Sequence, residues 1–222
     1  AISFAANLGA IYSRLKGRCA IRKIPSVFVR NWDGDRQCRN EVSPGCEWVL
    51  EGEGIARIKY DGTACLLKGG TLYKRYDARK RKEAPEGFIE AQERDENHWL
   101  GWVPIGDGPE DQYHRAAFQE FQNNPSSPID REGRTFELIG PKIQGGAEEW
   151  ATRHYLMPHH GQGFLSLEPG YPRTFDILRQ FLEGFTMEGL VFHHPDGRMA
   201  KVKRKDLGLE WPIPIQSSAN DQ

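Results

Sequence analysis

The apolar and polar positions of this chain change period several times, and each change marks an element. Ile55 to Tyr60 alternates, which predicts a strand that delivers Lys59 at its end. Thr63 to Lys68 and Thr71 to Tyr76 flank Gly69-Gly70, and a glycine pair supplies the positive φ that a two-residue hairpin turn needs. That hairpin would carry Arg75 back towards Lys59. Val27 to Val29 and Thr135 to Ile139 read as strands, and Tyr12 to Lys16 as a short helix. Asp111 to Gln122 places Tyr113, Ala117, Phe118 and Phe121 at helical spacing. Thr174 to Glu183 predicts a further helix, with Thr174 as its N-cap, a stripe of Phe175, Leu178, Phe181 and Leu182, and Gly184 to end it. Met187 to His194 and Met199 to Lys205 are strands around a Pro195-Asp196-Gly197-Arg198 turn. In the second of these, Lys201 and Lys203 share one face while Ala200 and Val202 take the other. The stretch from Lys82 to Gly108 is rich in Gly, Pro, Trp and charge, and reads as a loop-rich insertion over about 82–110.

Composition narrows the class. A chain of 222 residues buries one sizeable core and is most simply one domain, 1–222. A net charge of −1 provides no global field to attract nucleic acid. The basic residues are grouped, however. Lys74, Arg75, Arg79, Lys80, Arg81 and Lys82 form one patch, and Arg198, Lys201, Lys203, Arg204 and Lys205 form another. Local patches on a neutral protein suit a polyanion bound at one place. The cysteines (19, 38, 46 and 65) make no C-x-x-C pair, which argues against a disulfide framework and a zinc site and for a reducing cytoplasm. No stretch is long and apolar enough to span a membrane, and the first residues lack the basic and apolar regions of a signal peptide.

Lys59-Tyr60-Asp61-Gly62 spells K-x-D-G, a pattern that places a lysine amine to attack phosphorus. The amine must first be neutral, which requires desolvation or neighbouring cations. Lys201, Lys203 and Arg75 are candidates for those cations and for neutralising a triphosphate. Asp61 and Gly62 support the nucleophile, glycine because it lets backbone turn sharply and approach a nucleotide. Glu137 and Glu188 are carboxylates for Mg²⁺ or for a ribose hydroxyl. The adjacent pairs His159-His160 and His193-His194 lack helical metal-ligand spacing and read as structural or surface residues. Trp99 and Trp102 are candidates for stacking on RNA.

Taken in order, K-Y-D-G, Arg75, F-E-L-I-G (136–140), E-G-L-V-F (188–192) and K-V-K (201–203) resemble the covalent nucleotidyltransferase superfamily of ATP-dependent ligases and capping enzymes. The runs T-F-E-L-I-G, M-P-H-H-G, M-E-G-L-V-F-H-H-P-D-G, K-V-K-R-K-D-L-G-L-E-W-P-I-P and H-W-L-G-W-V-P are similar to the small ATP-dependent 5′-3′ RNA ligases of animals and their bacterial and viral relatives. The resemblance implies an α+β fold, an antiparallel two-sheet nucleotidyltransferase domain with packed helices and no OB domain. It implies that Lys59 carries AMP from ATP and that Arg75 meets the ribose or phosphate. Glu137 and Glu188 would serve ribose and metal, while Lys201 and Lys203 hold the α-phosphate. The metal is Mg²⁺, with Mn²⁺ as a substitute. Arg79, Lys80, Arg81, Lys82, Arg204 and Lys205 would face an RNA with 5′-phosphate and 3′-hydroxyl ends, and the protein is expected to act as a monomer. Tyr155 and Phe136 are candidates for stacking on adenine. A DNA ligase, a GTP-using capping enzyme and a non-catalytic RNA-binding module of the same fold remain as alternatives.

Overall fold

The structure is a computed structural model, and it describes residues 24–79, 83–124, 134–159, 167 and 170–213. The chain is α+β, with antiparallel sheets and few helices. Its strands are β1 (Phe28–Arg30), β2 (Cys38–Val42), β3 (Ile55–Lys59), β4 (Thr63–Lys68), β5 (Thr71–Asp77), β6 (Ile89–Glu90), β7 (Leu100–Pro104), β8 (Arg134–Ile139), β9 (Tyr155–Pro158), β10 (Gly189–His193) and β11 (Met199–Lys203). Its helices are α1 (Glu47–Leu50), α2 (Gln112–Asn123) and α3 (Phe175–Glu183). The predicted helix at 12–16 lies outside the described residues. The described backbone falls into two compact units. Unit one takes residues within 60–164 and 195–197, and unit two takes those within 24–59, 165–194 and 198–222.

Unit one is built on a six-stranded sheet in the order β6-β7-β5-β4-β8-β9. The β4–β5 hairpin forms as its sequence predicts, with Gly69 at φ 57° and Gly70 at φ 73°. On one face of the sheet, Cys65, Leu67, Leu72, Phe136 and Leu138 cluster with Ala117 of α2. Phe136 is therefore core and unavailable to stack on adenine. The segment read as a loop contributes two strands, β6 and β7, and β7 pairs with β5 along its whole length. Its residues Gly101, Trp102 and Val103 are all buried, so the run does not alternate and carries no period-2 signal. Trp102 is completely buried, with Arg75 over its ring at 5.6 Å, which rules it out as an RNA-stacking residue. Trp99 lies at the surface of this unit, its indole N–H donated to Glu90 at 3.1 Å.

Unit two holds a three-stranded sheet, β11-β10-β3, and a separate β1–β2 ribbon. The ribbon is a third sheet that the two-sheet expectation did not include. One face of the larger sheet supplies Ala56, Leu190, Phe192, Ala200 and Val202 to the core, where they meet Phe28, Trp48, Leu178 and Leu182. Each large aliphatic residue fully buried there contributes about 1.5–3 kcal/mol. Helix α3 starts where expected, with the Thr174 hydroxyl accepting the Ile177 N–H at 3.4 Å. Gly184 ends it at φ −77°, in the right-handed region, so the helix stops without the left-handed cap that glycine usually provides.

Candidate active site

In unit two the register of the three-stranded sheet assembles the chemistry. Lys59 of β3 lies opposite Gly189 of β10, and Gly189 lies opposite Lys203 of β11. Two residues further along, Arg57, Val191 and Lys201 form a parallel row. Residues two apart share a face, so Lys59, Lys201 and Lys203 all project opposite to the core face. The glycine in the centre of the first row leaves no side chain between Lys59 and Lys203. Glu188, which precedes β10 and is buried, pairs directly with the Lys59 amine and lies 3.9 Å from Lys203 Nζ. Burial, and then the charges of Lys59 and Lys203, hold the Lys201 ammonium below the usual lysine range. Asp206, almost fully buried just beyond β11, pairs with Arg30 and stands 4.0 Å from Lys203 Nζ. Lys203 is thus shared by two carboxylates, whereas the larger influence on Lys201 is loss of water.

Unit one holds the other candidates. The Asp61 N–H donates to Glu148 at 2.8 Å, and the second Glu148 oxygen takes the Trp150 indole N–H at 2.9 Å. Gly62 has no positive φ; glycine is required there because a Cβ would stand 2.2 Å from the Leu138 carbonyl oxygen. Burial lowers the Arg75 guanidinium from its ordinary range, and Asp77 and Glu137 oppose that shift. Glu137 Oε2 is 2.8 Å from His159 Nε2. Tyr155 stacks near-parallel with exposed Trp150 at 6.3 Å between ring centroids.

Comparison with known proteins finds similarity to RNA ligases. A family model described as RNA ligase 1 matches residues 119–220. RNA ligase 1 of Mus musculus is 30% identical over 60% of this chain and 50% of its own length. The protein of that name from Pongo abelii is 32% identical over 60% of this chain and 51% of its own. The one from Danio rerio is 32% identical over 36% and 26%. Over these stretches the chain is similar to RNA ligase 1 proteins. It spans about half the length of the curated mammalian relatives it matches. The family-model match includes Glu137, His159, Glu188, Lys201 and Lys203, whereas Lys59, Asp61, Gly62 and Arg75 precede it.

The RNA-facing candidates divide. Arg79 is exposed, its side chain 3.8 Å from Asp77, and Lys205 is exposed. Lys80, Arg81 and Lys82 lie outside the described residues. Arg204 is only 6% exposed and is committed to the fold. Its guanidinium donates to the carbonyls of Leu182, Phe185 (2.9 Å) and Glu210 (2.8 Å). A basic side chain in a K-x-K-R-K run reads as surface, but the 3₁₀ turn that follows β11 directs this one inward. Replacing Arg204 with Met is expected to cost about 2–4 kcal/mol in urea unfolding, because three backbone acceptors, that of Leu182 buried, lose their donor. The salt dependence of RNA binding should not change, whereas Lys205→Ala should flatten it.

The donor set suits a hard divalent ion that keeps water and phosphate ligands. Such an ion needs only one or two protein carboxylates. Glu188 provides one in unit two and Glu137 one in unit one. Among the described residues, no three His, Cys, Asp or Glu side chains converge to form an all-protein cage. Among those residues, too, no helix is long and apolar enough to cross a membrane.

Sequence alone does not single out Thr135, Glu148, Asp206 and Arg30 as site candidates, and it reads His159 as structural or surface. For His159 a signal exists: the M-P-H-H-G run begins in β9, which pairs with the strand that holds Thr135-x-Glu137. Glu148 and Asp206 carry no comparable mark.

Proposed function

We propose that this chain is an ATP-dependent RNA ligase with an antiparallel nucleotidyltransferase fold, sealing RNA 5′-phosphate to 3′-hydroxyl ends. The row Lys59–Gly189–Lys203, flanked by Glu188 and Lys201, is the observation that carries this reading. One amine and two further ammonium groups share a sheet face, which is what nucleotidyl transfer to lysine asks for. Lys59 Nζ attacks the α-phosphorus of ATP. The N–P bond forms as the bond to the β-phosphate oxygen breaks, the amine loses a proton, and pyrophosphate leaves. A 5′-phosphate oxygen of RNA then displaces the lysine and takes the AMP. Finally, a 3′-hydroxyl attacks the 5′-phosphorus, AMP departs, and the phosphodiester is closed.

The residues divide this work. Lys201 and Lys203 neutralise the α-phosphate oxygens, a role suited to cations fixed before the substrate arrives. The Glu188 carboxylate must release the Lys59 amine before attack, because the lone pair is unavailable while the amine is protonated and ion-paired. Within unit two Glu188 would be a carboxylate ligand for Mg²⁺, and within unit one Glu137 would be another candidate; the ion would supply positive charge to offset that of phosphate. In unit one, Arg75 offers a cation to phosphate or ribose oxygens, and Glu137 accepts from ribose. Arg79, Lys205 and the 80–82 stretch supply charge for RNA, and the protein works as a cytoplasmic monomer.

Incubation with Mg²⁺ and either ATP or GTP, followed by intact-mass measurement under denaturing conditions, tests the first step. The expected result is a gain of one AMP with ATP and no gain with GTP. A GMP adduct would favour a capping-type enzyme. A folded protein, free of prebound AMP, that gains nothing would favour an RNA-binding module.

A further inference from the structure

Thr135 and Glu137 share a face of β8 because residues two apart in a strand point the same way. β9 runs antiparallel beside it, with Phe136 opposite Pro158 and Glu137 opposite Met157. That register brings His159, the residue after β9, alongside Thr135, whose carbonyl accepts the His159 backbone N–H at 3.1 Å. The imidazole is then held at both ends. Nδ1 is 3.0 Å from the Thr135 hydroxyl and Nε2 is 2.8 Å from Glu137 Oε2. An ionised carboxylate only accepts, and a neutral imidazole has one donor and one acceptor nitrogen. In the neutral form, Nε2 carries the proton and Nδ1 accepts from Thr135. The chain of hydrogen bonds has one direction, from threonine through histidine to Glu137. The His159 and Glu137 side chains are 27% and 16% exposed, so both bonds are partly shielded from competing water.

We propose that His159, oriented by Thr135, is a positioning residue that occupies one carboxylate oxygen of Glu137 and presents the other to a ribose hydroxyl of the nucleotide. The inference rests on the assignment of Glu137 to the nucleotide. A carboxylate that can rotate accepts a hydroxyl from many directions, whereas one pinned by an N–H accepts along one. Pinned ligands of this kind lose roughly tenfold or more in affinity when the outer partner is removed.

The test is ATP binding by calorimetry, which does not depend on the covalent step, with adduct formation measured in parallel. His159→Ala is expected to weaken ATP binding about tenfold. His159→Gln, which keeps an N–H near the position of Nε2, should stay within about threefold of wild type. In a Glu137→Gln background the alanine change should add little, because its effect passes through Glu137. The loss should also shrink for whichever of 2′-deoxy-ATP and 3′-deoxy-ATP lacks the accepted hydroxyl. Additive losses, or equal losses for ATP and both analogues, would overturn the proposal. If His159→Ala does not fold, Thr135→Val and His159→Gln decide the matter. Weakening by valine with near-normal binding for glutamine supports the proposal, and any other pattern overturns it. Wild-type protein that binds ATP but forms no adduct would sink the ligase chemistry, while the same comparison of variants still decides the role of His159.

Discussion

Lys59→Ala is expected to show no AMP adduct at any ATP concentration, while still binding RNA and unfolding at the same urea concentration as the wild type. The effect is total because no other amine on the face stands in the same relation to the site. Lys203 is two strands away in the same row and is shared between Glu188 and Asp206. Lys201 lies in the next row and is positioned to hold charge. Lys59→Arg should fail as completely, since a guanidinium does not surrender a proton in a protein and offers no amine lone pair. The alanine change removes a partly buried side chain at a strand end, together with its pairing with Glu188. Stability should therefore shift by no more than about 1 kcal/mol. The measurement is intact mass alongside a filter-binding assay for RNA. An adduct that survives in Lys59→Ala would mean that the nucleophile has been misassigned.

Gly62→Ala should produce the largest loss of stability among substitutions in the K-x-D-G motif. A Cβ at this position would lie 2.2 Å from the Leu138 carbonyl oxygen, 2.8 Å from Glu137 Cγ and 3.0 Å from Ile139 Cγ2. All three atoms belong to β8, and the nearest is backbone. The strand cannot retreat without lengthening its ladder to β4, in which Thr63 faces Leu138. A cost of about 2–4 kcal/mol follows, in the upper range for overpacking. Urea titration would measure it, and Gly45→Ala provides the control. Gly45 has φ 82° but no heavy atom within 4 Å of an added Cβ, so only backbone strain of about 1–2 kcal/mol applies there. Equal losses at the two positions would show that β8 yields more easily than its hydrogen bonds suggest. Because Glu137 is among the crowded groups, Gly62→Ala should also weaken ATP binding in whatever fraction remains folded.

Local rules were legible where a single signal decided the outcome. Gly69-Gly70 could only be a turn, Thr174 could only begin a helix, and the alternation of Ala200, Lys201, Val202 and Lys203 sorted core from site. The signal failed where burial on both sides erased the period, as in β7, or where side-chain direction depended on a later turn, as with Arg204. The lysines and Glu137 stood out because charged residues in strands must face something polar, and Glu188 because it directly precedes a strand. Nothing local announced Glu148 or Asp206. An acid becomes a backbone anchor or a partner for Lys203 only once distant segments are paired, and a single sequence does not display that pairing. The aromatic candidates divided for the same reason: Phe136 and Trp102 fill cores, and Tyr155 remains at an accessible position.

The two units are also interleaved along the chain, which bears on how the protein is made. The strands of unit one run from Thr63 to Pro158 without leaving that unit, so its sheet can close while synthesis continues. Unit two has no such freedom. Its β3 ends at Lys59, yet β10, its partner strand among the described residues, begins at Gly189. The early segment must wait for well over a hundred further residues before its backbone groups are paired and its apolar face is covered. During that interval Ile58 and Ala56 are exposed in a nascent chain, so this stretch is where chaperone binding and premature aggregation should concentrate.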